Sequence, residues 1–232
     1  MALHPSGPQR PLPQLLAFDL AATALSLDAE PDVRLLLIGS TEAMAEDILA
    51  RCEWPITILT DSAATYQAVQ AAADRVGGGR VTVTRVSGSR SEPAGALRSG
   101  RALWVAPDRS NWRTGAAIID QYLGSGGRLA VISNGPLSVL RALLRRAEPG
   151  VSPGRMDPRE IADALGYQTL ASWRLYGLPS LAWAVLRLTA DRLSRPDMAD
   201  RFEAAFRLSL PGNDTRRLWS TGIWVGQRPD RE

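Results

Sequence analysis

Apolar and polar positions follow two alternating rhythms along the chain, one helical and one of short continuous apolar runs. Leu15 to Leu27 places Leu15, Leu16, Phe18, Leu20, Ala21, Leu25 and Leu27 at helical spacings. After Asp32 comes Val33-Arg34-Leu35-Leu36-Leu37-Ile38, an apolar run stopped by Gly39-Ser40. Such a run suits a strand buried on both faces of a parallel sheet. Thr41 to Cys52 then reads as a helix, with Ser40 or Thr41 as its N-cap and Glu42 near the positive end of its dipole.

The alternation repeats. Ile56 to Leu59 is a second short strand, closed by Thr60-Asp61-Ser62, and Ala63 to Val76 is an Ala-rich helix ended by Gly77-Gly78-Gly79. Val81 to Val86 is a β-branched third strand. Ser87 to Gly100, rich in Ser, Gly and Pro, reads as a surface loop with a short helix around Ala94 to Leu97. Ala102 to Ala106 is a fourth strand ending at Pro107-Asp108, Thr114 to Leu123 a helix stopped by Gly126-Gly127, and Arg128 to Ser133 a fifth strand. Five such alternations with short links argue for a doubly wound α/β sheet, because parallel strands need crossover helices.

The last third continues the scheme. Pro136 to Arg146 reads as a helix, Pro149 to Pro158 as a loop, Pro158 to Leu165 as a short helix and Gln168 to Leu175 as a sixth strand. Ser180 to Leu193 and Pro196 to Leu208 read as two more helices, with Pro196 suited to a first helical position. Leu181, Val185 and Leu188 form one apolar stripe there, Trp183, Leu186 and Leu193 a second, and Met198, Phe202 and Phe206 a third. Two readings are open: a helical pair packed on the sheet, or an apolar wall for a ligand or a second subunit. Arg217 to Gln227 reads as a final strand beside the sixth.

Composition narrows the chemistry. At 232 residues the chain can bury a full core, and no apolar run in it approaches the ~20 residues that span a bilayer. Residues 1–14 read as a flexible tail and not a signal peptide, 15–232 as one domain, and a cytoplasmic location is the expectation. Cys52 is the sole cysteine, which excludes an internal disulfide and a cysteine metal cluster, and the sole histidine, His4, falls in the expected tail, which weighs against a His-based metal site or triad. The net charge of +3 hides the absence of lysine, so every strong base is Arg. The arginines are spread along the chain, usually near Asp or Glu, which weighs against a nucleic-acid-binding surface.

The order of elements resembles the class I S-adenosylmethionine-dependent methyltransferases over roughly Leu15 to Arg228. Tyr122-Leu123-Gly124-Ser125-Gly126-Gly127-Arg128-Leu129-Ala130-Val131-Ile132 is similar to the family's passage from leader helix through Gly-Gly into the fifth strand. Glu160 to Tyr167 resembles the helix and Gly-Phe turn before its sixth strand. The resemblance implies a mostly parallel seven-stranded sheet, its last strand antiparallel and inserted beside the sixth. It also implies S-adenosylmethionine as cofactor, a small and partly hydrophobic acceptor, and a helical insertion at about 178–210 that helps bind the acceptor.

By the same resemblance the cofactor lies beyond the carboxyl ends of the strands, near the point where strand order reverses. The loop Ile38-Gly39-Ser40-Thr41-Glu42-Ala43 stands in the family's glycine-rich position. Gly39 keeps one glycine, Ser40 and Thr41 offer N–H groups or hydroxyls to the methionine carboxylate, and Glu42 and Ala43 depart from the pattern. A plain strand-to-helix turn explains the same residues. Asp61, with Ser62 beside it, matches the acidic residue that accepts bonds from both ribose hydroxyls, and it also suits a helix N-cap. Ser87 stands near the adenine position, where the family often has Asp, and Ala106-Pro107-Asp108 near the methyl-donor pocket. No residue emerges as catalytic, since methyl transfer depends mainly on proximity and alignment. Two functions follow: a methyltransferase, or a catalytically silent methyltransferase-like domain serving as a binding or assembly module, for which a homodimer is open.

Overall fold

The computed structural model describes residues 12–25, 33–39, 48–49, 54–60, 63–76, 79–86, 99–105, 112–135, 158–175, 177, 182, 185–186, 189–190, 193–195, 197–198, 201–202 and 221–230. Seven strands form one sheet: β1 (Leu35–Ile38), β2 (Ile56–Thr60), β3 (Val81–Arg85), β4 (Ser99–Val105), β5 (Leu123–Asn134), β6 (Gln168–Leu175) and β7 (Thr221–Gln227). Their order is β3-β2-β1-β4-β5-β7-β6. The pairs among β1 to β5 are parallel, and β7 runs antiparallel between β5 and β6. The expected doubly wound, seven-stranded sheet is the one found.

Helices cover both faces. On one side α1 (Leu12–Ala24), the helical residues Ile48 and Leu49, and α2 (Ala63–Val76) pack on Leu35, Leu37, Ile56 and Ile58. On the other, α3 (Trp112–Tyr122) and α4 (Pro158–Leu165) pack on the alternate residues, among them Leu36, Trp104, Val131 and Trp224. Period-two alternation thus splits each strand's apolar run between two cores, which is why β1 is buried at all four positions.

Several boundaries differ from those expected. Helix α1 starts at Leu12 rather than Leu15, inside the expected tail, with Pro13 in its first turn where its missing N–H has no intrahelical role. Strand β4 starts at Ser99, inside the expected loop. Strand β5 starts at Leu123, directly after α3, so Gly126-Gly127 is a kink within a strand and not a helix stop. The cause lies in the register: Leu123 pairs with Ser99 and Arg128 with Arg101, five steps on one strand against two on the other. The surplus folds back at Gly126, whose φ is +67°. The expected helix at Pro136–Arg146 lies outside the described residues, as do residues 217–220 of the last expected strand.

Two buried arginines tie the helices to the sheet. Arg101 on β4 donates from Nε to the Leu25 carbonyl at 2.6 Å and from Nη1 to the Gly100 carbonyl at 2.9 Å, holding the end of α1. Arg228, just past β7, donates to the Asp120 carbonyl at 2.6 Å and to the Leu123 carbonyl, and its Nη2 lies 2.8 Å from the Asp120 carboxylate. It thereby satisfies carbonyls at the end of α3, where the helix has no internal donors left.

Candidate functional site

The topology sets a switch point before any side chain is considered. After β1 the helical residues Ile48 and Leu49 pack on the α1 and α2 face, and after β4 comes α3 on the opposite face. Adjacent β1 and β4 therefore send their chains apart, and the space beyond their carboxyl ends is the switch point at which open α/β sheets bind ligands.

Gly39 occupies that point. It directly follows Ile38, is exposed, and has a φ of +77°. A Cβ built there would overlap the Val105 carbonyl oxygen and stand 3.6 Å from the Trp104 ring. Both the backbone angle and the closeness of the last residue of β4 thus demand glycine. The result is main chain presented to solvent at the crevice with no side chain to shield it.

Trp104 is buried in the sheet, and its indole lies against Gly115 of α3, where any Cβ would overlap the ring. The start of α3 sits on the rim, with the Arg113 guanidinium 5.6 Å from the centre of the Trp112 ring. On the other side of β1, Leu59 pairs with Ile38, so Thr60 ends β2 at the level of Gly39. The Thr60 carbonyl accepts the Val86 N–H at 2.8 Å, which locks the exits of β2 and β3 together.

Of the residues expected to touch a cofactor, Gly39 is described, exposed and directly after β1. Ser40, Thr41, Asp61, Ser62, Ser87 and Ala106 lie outside the described residues, as do Asp108, His4 and Cys52. In the 178–210 region, Val185, Leu186, Leu193 and Met198 are exposed and Ala190 is buried. The apolar stripes expected there are therefore partly turned to solvent. Among the described residues no group of three or more His, Cys, Asp or Glu could hold a metal ion, and no helix is long and apolar enough to cross a membrane.

Sequence reasoning passed over Ser133. Its side chain is 2% exposed at the carboxyl end of β5, and its hydroxyl has no hydrogen-bond partner. A serine closing an apolar strand looks like a turn signal, so only the register could reveal it as buried.

No family's sequence profile matches the chain, and no curated protein matches it. Solved structures do. The [4+2]-cyclase SpnF superposes with a TM-score of 0.56 at 19% identity, over 94% of this chain and 81% of its own. The N-methyltransferase NodS from Bradyrhizobium japonicum WM9 superposes at 0.55 and 13% identity, over 96% and 99%. A geranyl diphosphate methyltransferase in complex with GPP and sinefungin superposes at 0.55 and 14% identity, over 93% and 78%. With the strand order, these likenesses show that the chain has the fold of the class I S-adenosylmethionine-dependent methyltransferases.

Proposed function

We propose that the protein is an S-adenosylmethionine-dependent methyltransferase acting on a small molecule. The observation that carries this reading is Gly39, an exposed positive-φ glycine pressed on the end of β4 at the switch point. A bare main chain there suits a ligand that must approach backbone closely, as the methionine moiety of the cofactor would, with Ser40 and Thr41 next in the chain. Asp61 is the residue after Thr60 in the sequence, and its carboxylate is the group suited to two ribose hydroxyls. The cofactor would supply a methyl group on sulfonium. That methyl would pass to a nucleophilic atom of the acceptor with the carbon–sulfur electron pair left on sulfur, while Gly39, Ser40, Thr41 and Asp61 would hold the donor. The protein's part is to hold donor and acceptor in line and exclude solvent, so no acid–base residue is required of it.

Calorimetry with S-adenosylmethionine and S-adenosylhomocysteine tests the reading. Binding is expected, and no heat at millimolar ligand overturns both cofactor and enzyme. Asp61→Ala should weaken binding about tenfold or more, the value of losing hydrogen bonds to a charged group. An unchanged affinity removes Asp61 from the site.

A second reading has its own support. The loop after β1 keeps a single glycine before Ser40-Thr41-Glu42-Ala43, and a neighbour named as a [4+2]-cyclase carries the same fold. A domain that binds or assembles without transferring methyl groups fits the first fact, and the second shows the fold under a name other than methyltransferase. It predicts no cofactor binding and, if the exposed Leu186 and Leu193 region pairs subunits, a dimer in solution scattering.

A further inference from the structure

The sheet's carboxyl end carries a second set of residues that the cofactor reading does not use. On β5 and β7, Ser133 pairs with Gly222, and on β7 and β6 Gly222 pairs with Arg174. The three therefore stand in one row across three adjacent strands. Their faces agree. Val131 and Trp224, each two residues from the row, belong to the core under α3 and α4. Arg174 lies between Trp173 and Leu175, which pack on the opposite core, so its side chain also leaves on the α3 and α4 face.

The chemistry of the row is unusual for a sheet interior. The Ser133 hydroxyl is buried without a hydrogen-bond partner, a state that is uncommon in native proteins. Gly222 contributes no side chain between it and Arg174. Two strand spacings, about 10 Å, separate the backbones of Ser133 and Arg174, a span that an arginine and one small anion fill. Arg174 is half-buried and already has an interaction within the fold, but a guanidinium carries five N–H donors in a fork that suits carboxylate and phosphate. Strands β5, β6 and β7 contain no Asp or Glu at all.

The row also adjoins the crevice. The Val105 carbonyl touches Gly39, Val105 pairs with Ile132, and Ser133 is the next residue. We propose that Ser133 and Arg174 seat an oxyanion group of the acceptor, a carboxylate or a phosphate, across Gly222. The inference rests on the methyltransferase reading for the word acceptor. The seat itself stands on the row alone.

The test uses the full chain, inorganic phosphate and acetate as probes, and backbone amide NMR, with S-adenosylhomocysteine calorimetry alongside. One or both anions should shift the Ser133 and Gly222 amides at millimolar concentration. Arg174→Gln should weaken that binding about tenfold, the usual loss for a charge-assisted bond, and Gly222→Ala should weaken it by adding a methyl group between Ser133 and Arg174. Affinity for S-adenosylhomocysteine should stay unchanged in both variants. Ser133→Ala, which deletes only an unpartnered hydroxyl, should weaken anion binding and serves where a substitution at 174 or 222 fails to fold. Absence of amide shifts with both anions overturns the proposal, as does anion binding that is equal in wild type and Arg174→Gln or Ser133→Ala. Anion binding at the row without S-adenosylhomocysteine binding would sink the cofactor reading and leave the seat intact.

Discussion

Two glycines with nearly the same backbone angle separate conformational strain from close packing at the switch point. Gly39 has φ +77° and Gly79 has φ +80°, but a Cβ at Gly79 would meet nothing within 4 Å, whereas one at Gly39 would overlap the Val105 carbonyl oxygen. Gly79→Ala should cost only the positive-φ penalty, about 1–2 kcal/mol. Gly39→Ala carries the same penalty plus overpacking against main chain that cannot rotate away, about 1–3 kcal/mol more. Any gain from a stiffer unfolded chain is common to both variants and cancels in the comparison. Urea unfolding measures each midpoint, with equal slopes required before the two are compared. Equal midpoints would refute the close approach of β1's exit to β4. In the same proteins Gly39→Ala should impair S-adenosylhomocysteine binding and Gly79→Ala should not.

Other substitutions test the core and the chain's tethers. Thr57 is 1% exposed and its hydroxyl has no partner, so the isosteric Thr57→Val should stabilise by about 1 kcal/mol. Calorimetry would show that as a rise in Tm of about 2–4 °C, and a fall would refute it. Arg228→Met strips the donors from the Asp120 and Leu123 carbonyls and should cost about 2–3 kcal/mol in denaturant unfolding; a loss below a few tenths would mean that water replaces the guanidinium. Ser194 has φ +52° where the Arg195 N–H returns to the Ala190 carbonyl at 2.9 Å, a helix-ending geometry suited to glycine. Ser194→Gly should gain about 1 kcal/mol, and a lower melting temperature would count against that geometry.

The fold was legible where burial on both faces forces a continuous apolar run. Leu35 to Ile38 and Ile56 to Leu59 read as buried strands because each successive side chain enters a different core. Parallel pairing followed once helices separated them, and the placement of the last strand came with the family resemblance. The Gly126-Gly127 passage misled because glycine after a helix usually ends it, while here α3 passes straight into β5 and the kink comes later. At the site, Gly39 was legible as the residue that stops an apolar run. Its contact with Val105 was not, because that pairing joins residues far apart in sequence. Ser133, Gly222 and Arg174 were illegible for the same reason: each is ordinary in its own segment and acquires meaning only through cross-strand register.

The placement of β7 also bears on how the chain is made. Its residues Thr221–Gln227 come last among the strands, yet they fill an interior slot of the sheet. During synthesis β5 emerges with Leu129 to Ile132 ready for pairing, and its neighbour on that side is still many codons away. Until then an apolar strand edge stands open, the kind of template on which other chains add. A message truncated before the codon for Thr221 would therefore yield a sheet split into two parts, each with an unfilled edge, and a strong candidate for chaperone capture or proteolysis.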